Sequence, residues 1–299
     1  MPGISFFWKA QAVLVLILIH LGGALLGAPQ GPQRDPKPFP DTDKLMSRVA
    51  EHQREVEALV DQYTCTETAT EYDLDKKGNV KGQHTDVYYL TPTPYEIFTL
   101  HISHDGKAVS ESDLEKQEKE IEKRIAEDER KAQQGKELRP KDRIAFAEII
   151  AKSRFTPLRW EDRDGYSTVV YAYEPRSSSA PQGRLDEKIT GDLKGLVWVS
   201  PEEEQILRIE FTSVTPLSVG MGLLGKVNGF QGFAEQKKIN GELWMPTHQE
   251  YVADGRQLFT GFRIRQVSEL SGYLKATTDV FQQIHSPQAA SRDGAKVPR

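Results

Sequence analysis

Gly195-Leu-Val-Trp-Val-Ser-Pro201, then Glu202-Glu-Glu-Gln205, then Ile206-Leu-Arg-Ile-Glu-Phe-Thr-Ser-Val214 decide the fold. They predict two antiparallel strands joined by a tight polar loop. Leu196 and Trp198 point one way in the first strand. Leu207, Ile209 and Phe211 share one face of the second, and Arg208, Glu210 and Thr212 take the other. Alternation of this kind belongs to a sheet with one apolar and one wet face.

The pattern continues on both sides. Upstream, Arg154 to Arg163 and Tyr166 to Glu174 flank Asp164-Gly165, a hairpin turn whose residues accept left-handed backbone. Further upstream, threonines 64, 66, 68 and 70 alternate along one strand face. A turn at 75–79 leads to a return strand from Val80 to Leu90, and Tyr95 to His104 makes a third strand. Downstream lies a glycine-rich apolar stretch, 217–233. An Asn240-Gly241 turn then feeds Leu243-Trp-Met-Pro246, and Tyr251 to Phe262 is read as turning at Asp254-Gly255. Tyr273 to Phe281 is the last expected strand, and 284–299 reads as a disordered tail.

Three helices are expected. The first starts near Asp41 or Thr42 and carries Leu45, Val49, Val56, Leu59 and Val60 at helical spacing. The second, Ser110 to Gln133, has a capping box at Ser112 and Glu115. Its apolar stripe is thin (Leu114, Ile121, Ile125), and its charges pair at (i, i+4), which predicts a solvent-exposed helix projecting from the sheet. It reads as an insertion at about 110–135, with a docking arm as the functional alternative to a solvated face. Pro140 opens a short third helix whose Phe146, Ile149 and Ile150 make a compact apolar face.

Residues 1–28 read as a secretory signal peptide: Lys9, an apolar core at Ala12 to Ile19, and small residues up to Ala28. A retained membrane anchor is the alternative, weakened by Gln11, His20 and two glycines. A proline-rich linker at 29–42 follows, and the folded domain is expected over 43–283. The expected compartment is the periplasm, reached through cleavage of the signal. The net charge of -5 speaks against a nucleic-acid binder. A single cysteine, Cys65, cannot close an internal disulfide, so stability must come from the core, where Cys65 reads as a small buried residue.

Candidate chemistry is sparse. Gly220-Met-Gly-Leu-Leu-Gly225 matches a dinucleotide-binding glycine string, but the glycines at 229 and 232 cannot begin a good helix, so a loop or bent strand is expected and no cofactor. His101 and His104, three apart on a strand, are expected on opposite faces and so not to share a metal without a bend; His84 comes from the preceding strand. No metal site is expected. Glu202-Glu203-Glu204 reads as a solubilising turn, and Glu161, Asp162 and Asp164 as a charged hairpin. No nucleophile elbow, phosphate loop or paired-histidine zinc helix is present, so the expectation is no enzyme; an exported hydrolase with dispersed acids is the remote alternative.

Aromatic and aliphatic residues cluster in the C-terminal half. They serve either as an ordinary core or as a concave apolar surface for a lipid-like ligand, since both need the same residues facing inward. The candidate cavity residues are Phe146, Ile150, Trp198, Leu207, Ile209, Phe211, Leu223, Phe233, Trp244 and Phe262. The third helix or the stretch 217–233 would have to move aside for release.

The order of these parts resembles the periplasmic lipoprotein-carrier superfamily called LolA-like. It runs from export signal and amphipathic helix to strands opening with Tyr63-Thr-Cys-Thr66, then helices, then hairpins around Gly195-Leu-Val-Trp-Val-Ser-Pro201 and Gln205-Ile-Leu-Arg-Ile-Glu210. Phe233 to Pro246, with its Asn-Gly turn and Trp-Met-Pro, is similar in style. The resemblance implies an α+β fold: a curved antiparallel sheet forming a half-open barrel with helices on the concave face. It implies non-enzymatic binding of a lipid or acylated hydrophobic ligand by a monomer in the cell envelope. Related members instead act as periplasmic sensors that bind a membrane protein or lipid. The chain departs from the compact carriers in its length and in the charged second helix, and no specific contact residue carries over.

Overall fold

A computed structural model of the protein describes residues 37–60, 62–92, 97–136, 146–176, 191–219, 225–257 and 260–275. The expected signal peptide, most of the linker, Leu223 with the rest of 220–224, and the tail lie outside the described residues. The first strands are β1 (Tyr63–Leu74), β2 (Val80–Pro92), β3 (Ile97–His104) and β4 (Lys107–Ala108). The middle group is β5 (Ser153–Arg163), β6 (Tyr166–Pro175), β7 (Leu193–Ser200) and β8 (Gln205–Ser213). The last group is β9 (Leu217–Val219), β10 (Gly225–Ile239), β11 (Leu243–Gln257) and β12 (Thr260–Lys275). The helices are α1 (Thr42–Val60), α2 (Glu111–Gln133) and α3 (Phe146–Lys152).

The strands pair as an eight-stranded array, β4-β3-β2-β1-β12-β11-β10-β9, and a four-stranded array, β5-β6-β7-β8. Among the described residues every strand pairing is antiparallel, from β1 with β2 to β7 with β8. Where β9 stops, β8 runs alongside β10 and joins the arrays; the Phe230 N–H donates to Ser213 Oγ at 3.2 Å. Among the described residues the result is one large open antiparallel sheet carrying three helices.

Local chemistry explains the turns. Asp164-Gly165 and Asn240-Gly241 both have positive φ at both residues, the geometry whose twist matches paired strands. Asp254-Gly255 is different. It lies inside β11, and the chain reverses between Gln257 and Thr260. Gly255 serves close packing instead: a Cβ there would sit 2.3 Å from Lys226 O and 2.7 Å from the Phe262 ring.

Asp41 caps α1, its Oδ1 accepting from the Lys44 N–H at 3.0 Å. The α2 cap is Ser110, not Ser112: Ser110 Oγ accepts from the Asp113 N–H, two residues earlier than the expected box. Nor does α2 project into solvent. Ile121, with Leu114 and Ile125, packs on Phe98, Leu100, Tyr89 and Ile102. Gln117 also takes the place of a neighbouring strand, accepting from the His101 N–H at 2.9 Å and donating to His101 O at 3.2 Å.

The main core joins α1 (Leu45, Met46, Val49, Ala50) and α3 (Ile149, Ile150) to one face of β6, β7, β8, β10 and β11. Opposed residues of antiparallel strands share a face, so this face can be followed across the sheet. Phe230 opposes Ala253, Ala253 opposes Ile264, Tyr251 opposes Gln266, and Gln266 opposes Glu71. Glu71 opposes His84, and by the same pairing Ala69 opposes Asp86. The face under α1 and α3 therefore continues into Glu71, His84 and Asp86. Phe98 and Leu100 oppose Thr91 and Tyr89, on the other face. The helices are thus not all on one face: α2 is on the side opposite α1 and α3.

Candidate functional site

The face under α1 and α3, the helix face, has an apolar half and a titratable half. In the apolar half, α1 presents Leu45, Met46 and Val49 to the β6–β8 sheet, where Tyr171, Leu193, Val197 and Ile209 are buried. A buried amide chain fixes the helix: Gln53 Nε2 donates to Gln205 Oε1 at 2.8 Å, and Gln205 Nε2 donates to Gln236 Oε1 at 3.1 Å. The acidic loop clasps the same assembly. Glu203 Oε2 accepts from Lys238 Nζ at 2.6 Å and from Trp244 Nε1 at 3.2 Å, while Glu204 pairs with Arg48 of α1. Glu202-Glu203-Glu204 is therefore more than a solubilising turn.

Between α1, α3 and β5 lies a cleft of about 700 Å³. Met46, Ala50, Ile150, Ala151 and Phe155 supply its apolar lining. Three guanidinium groups, Arg54, Arg154 and Arg176, line it against one carboxylate, Asp43. Arg176 is held in place by donation from Nε to Ser153 O at 2.8 Å. Phe155 leans on the fully buried rings of Tyr171 and Tyr173, with centroids 6.4 and 6.0 Å away.

The expected cavity residues fall into three groups. Ile150, Ile209 and Phe211 belong to the main core, with Phe146 and Phe262 packed against it. Leu207 and Trp244 form a neighbouring cluster with Val56 of α1. Leu207 parts from Ile209 because the β7–β8 register shifts there: Trp198 opposes Arg208 and Val199 opposes Ile206, leaving Leu207 as the extra residue of a bulge.

Trp198 stands apart, and Phe233, although packed against the main core, meets the same cation, Arg208. Val197, one residue before Trp198, faces α1, so Trp198 faces the other way. Its Nε1 donates to Glu161 Oε1 at 2.8 Å, and the Arg163 and Arg208 guanidinium groups lie over its ring. Arg208 also covers the Phe233 ring at 3.7 Å and pairs, with Arg163, to Glu235. This is a cation–aromatic patch on the outer face. The expectation that Trp198 shares a concavity with Ile209 and Phe211 is corrected by that placement. Glu161, read as a plain hairpin charge, belongs to the same patch.

The histidines of the titratable half were named from the sequence and set aside for want of a bend. His101 and His104 do share a side. Val87 opposes Ser103 and Tyr88 opposes His101, so Ile102 is an extra residue in β3. That bulge supplies the bend which brings both rings to Asp86. His101 Nε2 lies 2.8 Å and His104 Nδ1 2.7 Å from Asp86 Oδ1. His84 Nε2 is 3.6 Å from Asp86 Oδ2 and 4.0 Å from Glu71 Oε1. Asp86 is 3% exposed. Its hydrogen bond to His104, reinforced by its charge, raises the His104 imidazole above its ordinary value. Burial raises the carboxyls of Glu67 and Glu71 on the same face. The sequence signal was present, three histidines and an aspartate on two adjacent strands, but the bulge that joins them leaves no mark in composition.

Cys65 is buried in β1, and burial pushes its thiol up to about 12. Such a thiol stays protonated and serves packing rather than catalysis. No helix among the described residues is long and apolar enough to cross a membrane.

No protein-family model matches the sequence, and none of the curated proteins matches it. Solved structures do resemble the fold. A putative outer membrane lipoprotein-sorting protein domain from Vibrio parahaemolyticus is 12% identical, with 84% of this chain and 100% of that chain covered and a TM-score of 0.34. A LolA superfamily protein from Nitrosomonas europaea is 11% identical, covering 79% and 93% of the two chains, with a TM-score of 0.29. The MucA/MucB complex of Pseudomonas aeruginosa contains a chain 10% identical, covering 82% and 97%, with a TM-score of 0.23. These are likenesses at low identity and low superposition, and what this chain binds has to be read from its own side chains.

Proposed function

We propose that the protein is a non-enzymatic binder of a hydrophobic, lipid-type ligand in the cell envelope, with the open sheet curling around α1 and α3 as a half-open barrel. The observation that carries this reading is the cleft between α1, α3 and β5. It pairs an apolar floor, Met46, Ala50, Ile150 and Phe155, with the guanidinium groups of Arg54, Arg154 and Arg176. An apolar pocket with a few convergent charged groups suits an amphiphile: the acyl part removes the floor from water and an anionic head meets the arginines. Leu45, Ile149 and Ile209 continue the apolar environment beneath the cleft.

The test is mass spectrometry of organic extracts from protein purified without detergent, beside binding of oleate to delipidated protein. Ala151 lines the cleft and is exposed, so Ala151→Trp fills the space without entering the core. Wild type should carry or take up about one equivalent of amphiphile, and Ala151→Trp should lose it while keeping its circular dichroism. Arg54→Glu with Arg154→Glu should weaken oleate more than an uncharged alcohol of equal length. Oleate uptake that ignores all three substitutions, or a wild type that binds no amphiphile, overturns the reading.

A further inference from the structure

The cluster at the titratable end of the helix face gathers imidazoles around one buried carboxylate. Here three rings converge on Asp86, from His84 on β2 and from His101 and His104 on β3. The Asp86 Oδ1, His101 Nε2 and His104 Nδ1 atoms all lie within 4.8 Å of one another. We infer that these three atoms form a binding site for a divalent transition-metal ion of the zinc class, lying on the face shared with the lipid cleft but separate from it.

The donor set selects the ion. Two imidazole nitrogens and one carboxylate oxygen suit zinc, cobalt or nickel, whereas calcium and magnesium want oxygen ligands throughout. The spacing is close to that required. Donors around a tetrahedral zinc stand about 3.3 Å apart, so the 2.7 and 2.8 Å hydrogen bonds to Asp86 must open by about half an ångström. His101 Nε2 also lies 2.8 Å from Ser103 O, so its proton has two acceptors, and a metal replaces that proton. Entry is from solvent past His104, whose side chain is 55% exposed.

A carboxylate stands near enough to join a supporting shell. Metal-binding histidines commonly turn their second nitrogen to a carboxylate, which fixes ring orientation. His104 Nε2 lies 3.6 Å from Asp105 Oδ2, and Asp105 is itself pinned by accepting the Thr85 N–H at 2.8 Å. Asp105 has φ 47 at the β3–β4 turn, the left-handed conformation that swings His104 and Asp105 together. The Tyr88 ring packs beside His101, centroids 5.1 Å apart. His84 stands as the nearest further donor.

The experiment uses full-chain protein without a histidine tag, stripped with chelator and titrated calorimetrically with Zn²⁺, with Mg²⁺ as a control. Co²⁺ loading adds a visible spectrum that reports nitrogen and oxygen ligation. Wild type should bind about one Zn²⁺ and no Mg²⁺. His104→Ala and His101→Ala should each weaken Zn²⁺ binding by more than the roughly hundredfold that losing a supporting partner costs, and bleach the cobalt spectrum. His52→Ala and His248→Ala, remote from Asp86, should change neither. Asp86 is buried and its replacement risks the fold, so the exposed His104 carries the decision. A wild type that takes up no Zn²⁺, or one whose affinity survives both His101→Ala and His104→Ala, overturns the site. Oleate binding by those variants stays intact whatever their Zn²⁺ affinity, so failure here is distinct from failure of the lipid reading.

Discussion

Replacing Gln205 with leucine should unfold the protein at a markedly lower temperature, although the two side chains have similar size. Gln205 is fully buried. Its Oε1 accepts from Gln53 Nε2 at 2.8 Å, and its Nε2 donates to Ile206 O at 2.9 Å and Gln236 Oε1 at 3.1 Å. Leucine strips Gln53 Nε2 and Gln236 Oε1 of these partners, and both residues are nearly inaccessible, 1% and 5% exposed. Each orphaned buried group costs about 1–3 kcal/mol, and the leucine's own apolar burial returns part of that, leaving a net loss of about 3 kcal/mol. For a chain of this size the melting point should fall by about 6–12 °C. The assay is thermal and urea denaturation followed by circular dichroism, with an unchanged urea slope required for a clean reading. The decisive arm is the triple variant Gln53→Leu, Gln205→Leu, Gln236→Leu. With no polar group left to orphan, it should recover most of the loss. Gln236 Nε2 already lacks a hydrogen-bond partner, which favours that recovery. A single variant as stable as wild type, or a triple variant no better than the single, would refute the account of how α1 is anchored.

Two further outcomes follow from burial. The Glu67 carboxyl is raised above its ordinary value by burial, so its neutral form favours folding: that contribution is fully present below the unfolded value and is lost as pH rises through the folded value. Glu67→Gln should therefore match wild type below about pH 4 and melt higher than wild type at about pH 8; equal melting points at both would remove the desolvation argument. With its thiol at about 12, Cys65 has about one molecule in ten thousand ionised at about pH 8, so it should resist a thiol reagent when folded and react promptly in urea. Fast labelling of the native protein would show that β1 opens far more readily than its pairing with both β2 and β12 suggests.

Most of the sheet was legible because hairpin chemistry is local. Asp164-Gly165 and Asn240-Gly241 carry their turn geometry in two residues, and the alternation beside them fixes strand faces. What escaped depends on pairing partners. A bulge inserts one residue without changing composition, so neither Ile102 nor Leu207 announces that it shifts the face of its neighbours. Trp198 shows the opposite failure: its alternation was read correctly, but its size suggested core, whereas Val197 and Val199 fill that role. Asp254-Gly255 imitates a turn, because a glycine demanded by the crowding of Lys226 and Phe262 has the same letter as one demanded by positive φ. For α2, the thin stripe of Leu114, Ile121 and Ile125 was visible, but the hydrophobic face it buries, Phe98 and Leu100, lies in a strand whose own pattern does not say which element covers it.

The division of the helix face also limits how a lipid could enter. The core beneath the cleft is filled, so an acyl chain longer than the cleft must displace something, and α3 is the smallest piece. It is one short helix, and it buries Ala147, Ile149 and Ile150. Re-exposing two isoleucines costs about 3–6 kcal/mol, whereas each buried methylene of a ligand returns about 0.8 kcal/mol. Roughly four to eight methylenes are needed before the exchange breaks even. Alkanoates should accordingly bind weakly while short, then tighten steeply once the chain exceeds that length, as calorimetry across an even-numbered series would show. Phe146→Asp, which removes an aromatic packed against the core and adds charge beside Glu57, should loosen α3 and shift the threshold to shorter chains. An affinity that rises smoothly from the shortest chain, unchanged by Phe146→Asp, would mean that the ligand lies along the surface of the cleft and never asks α3 to move.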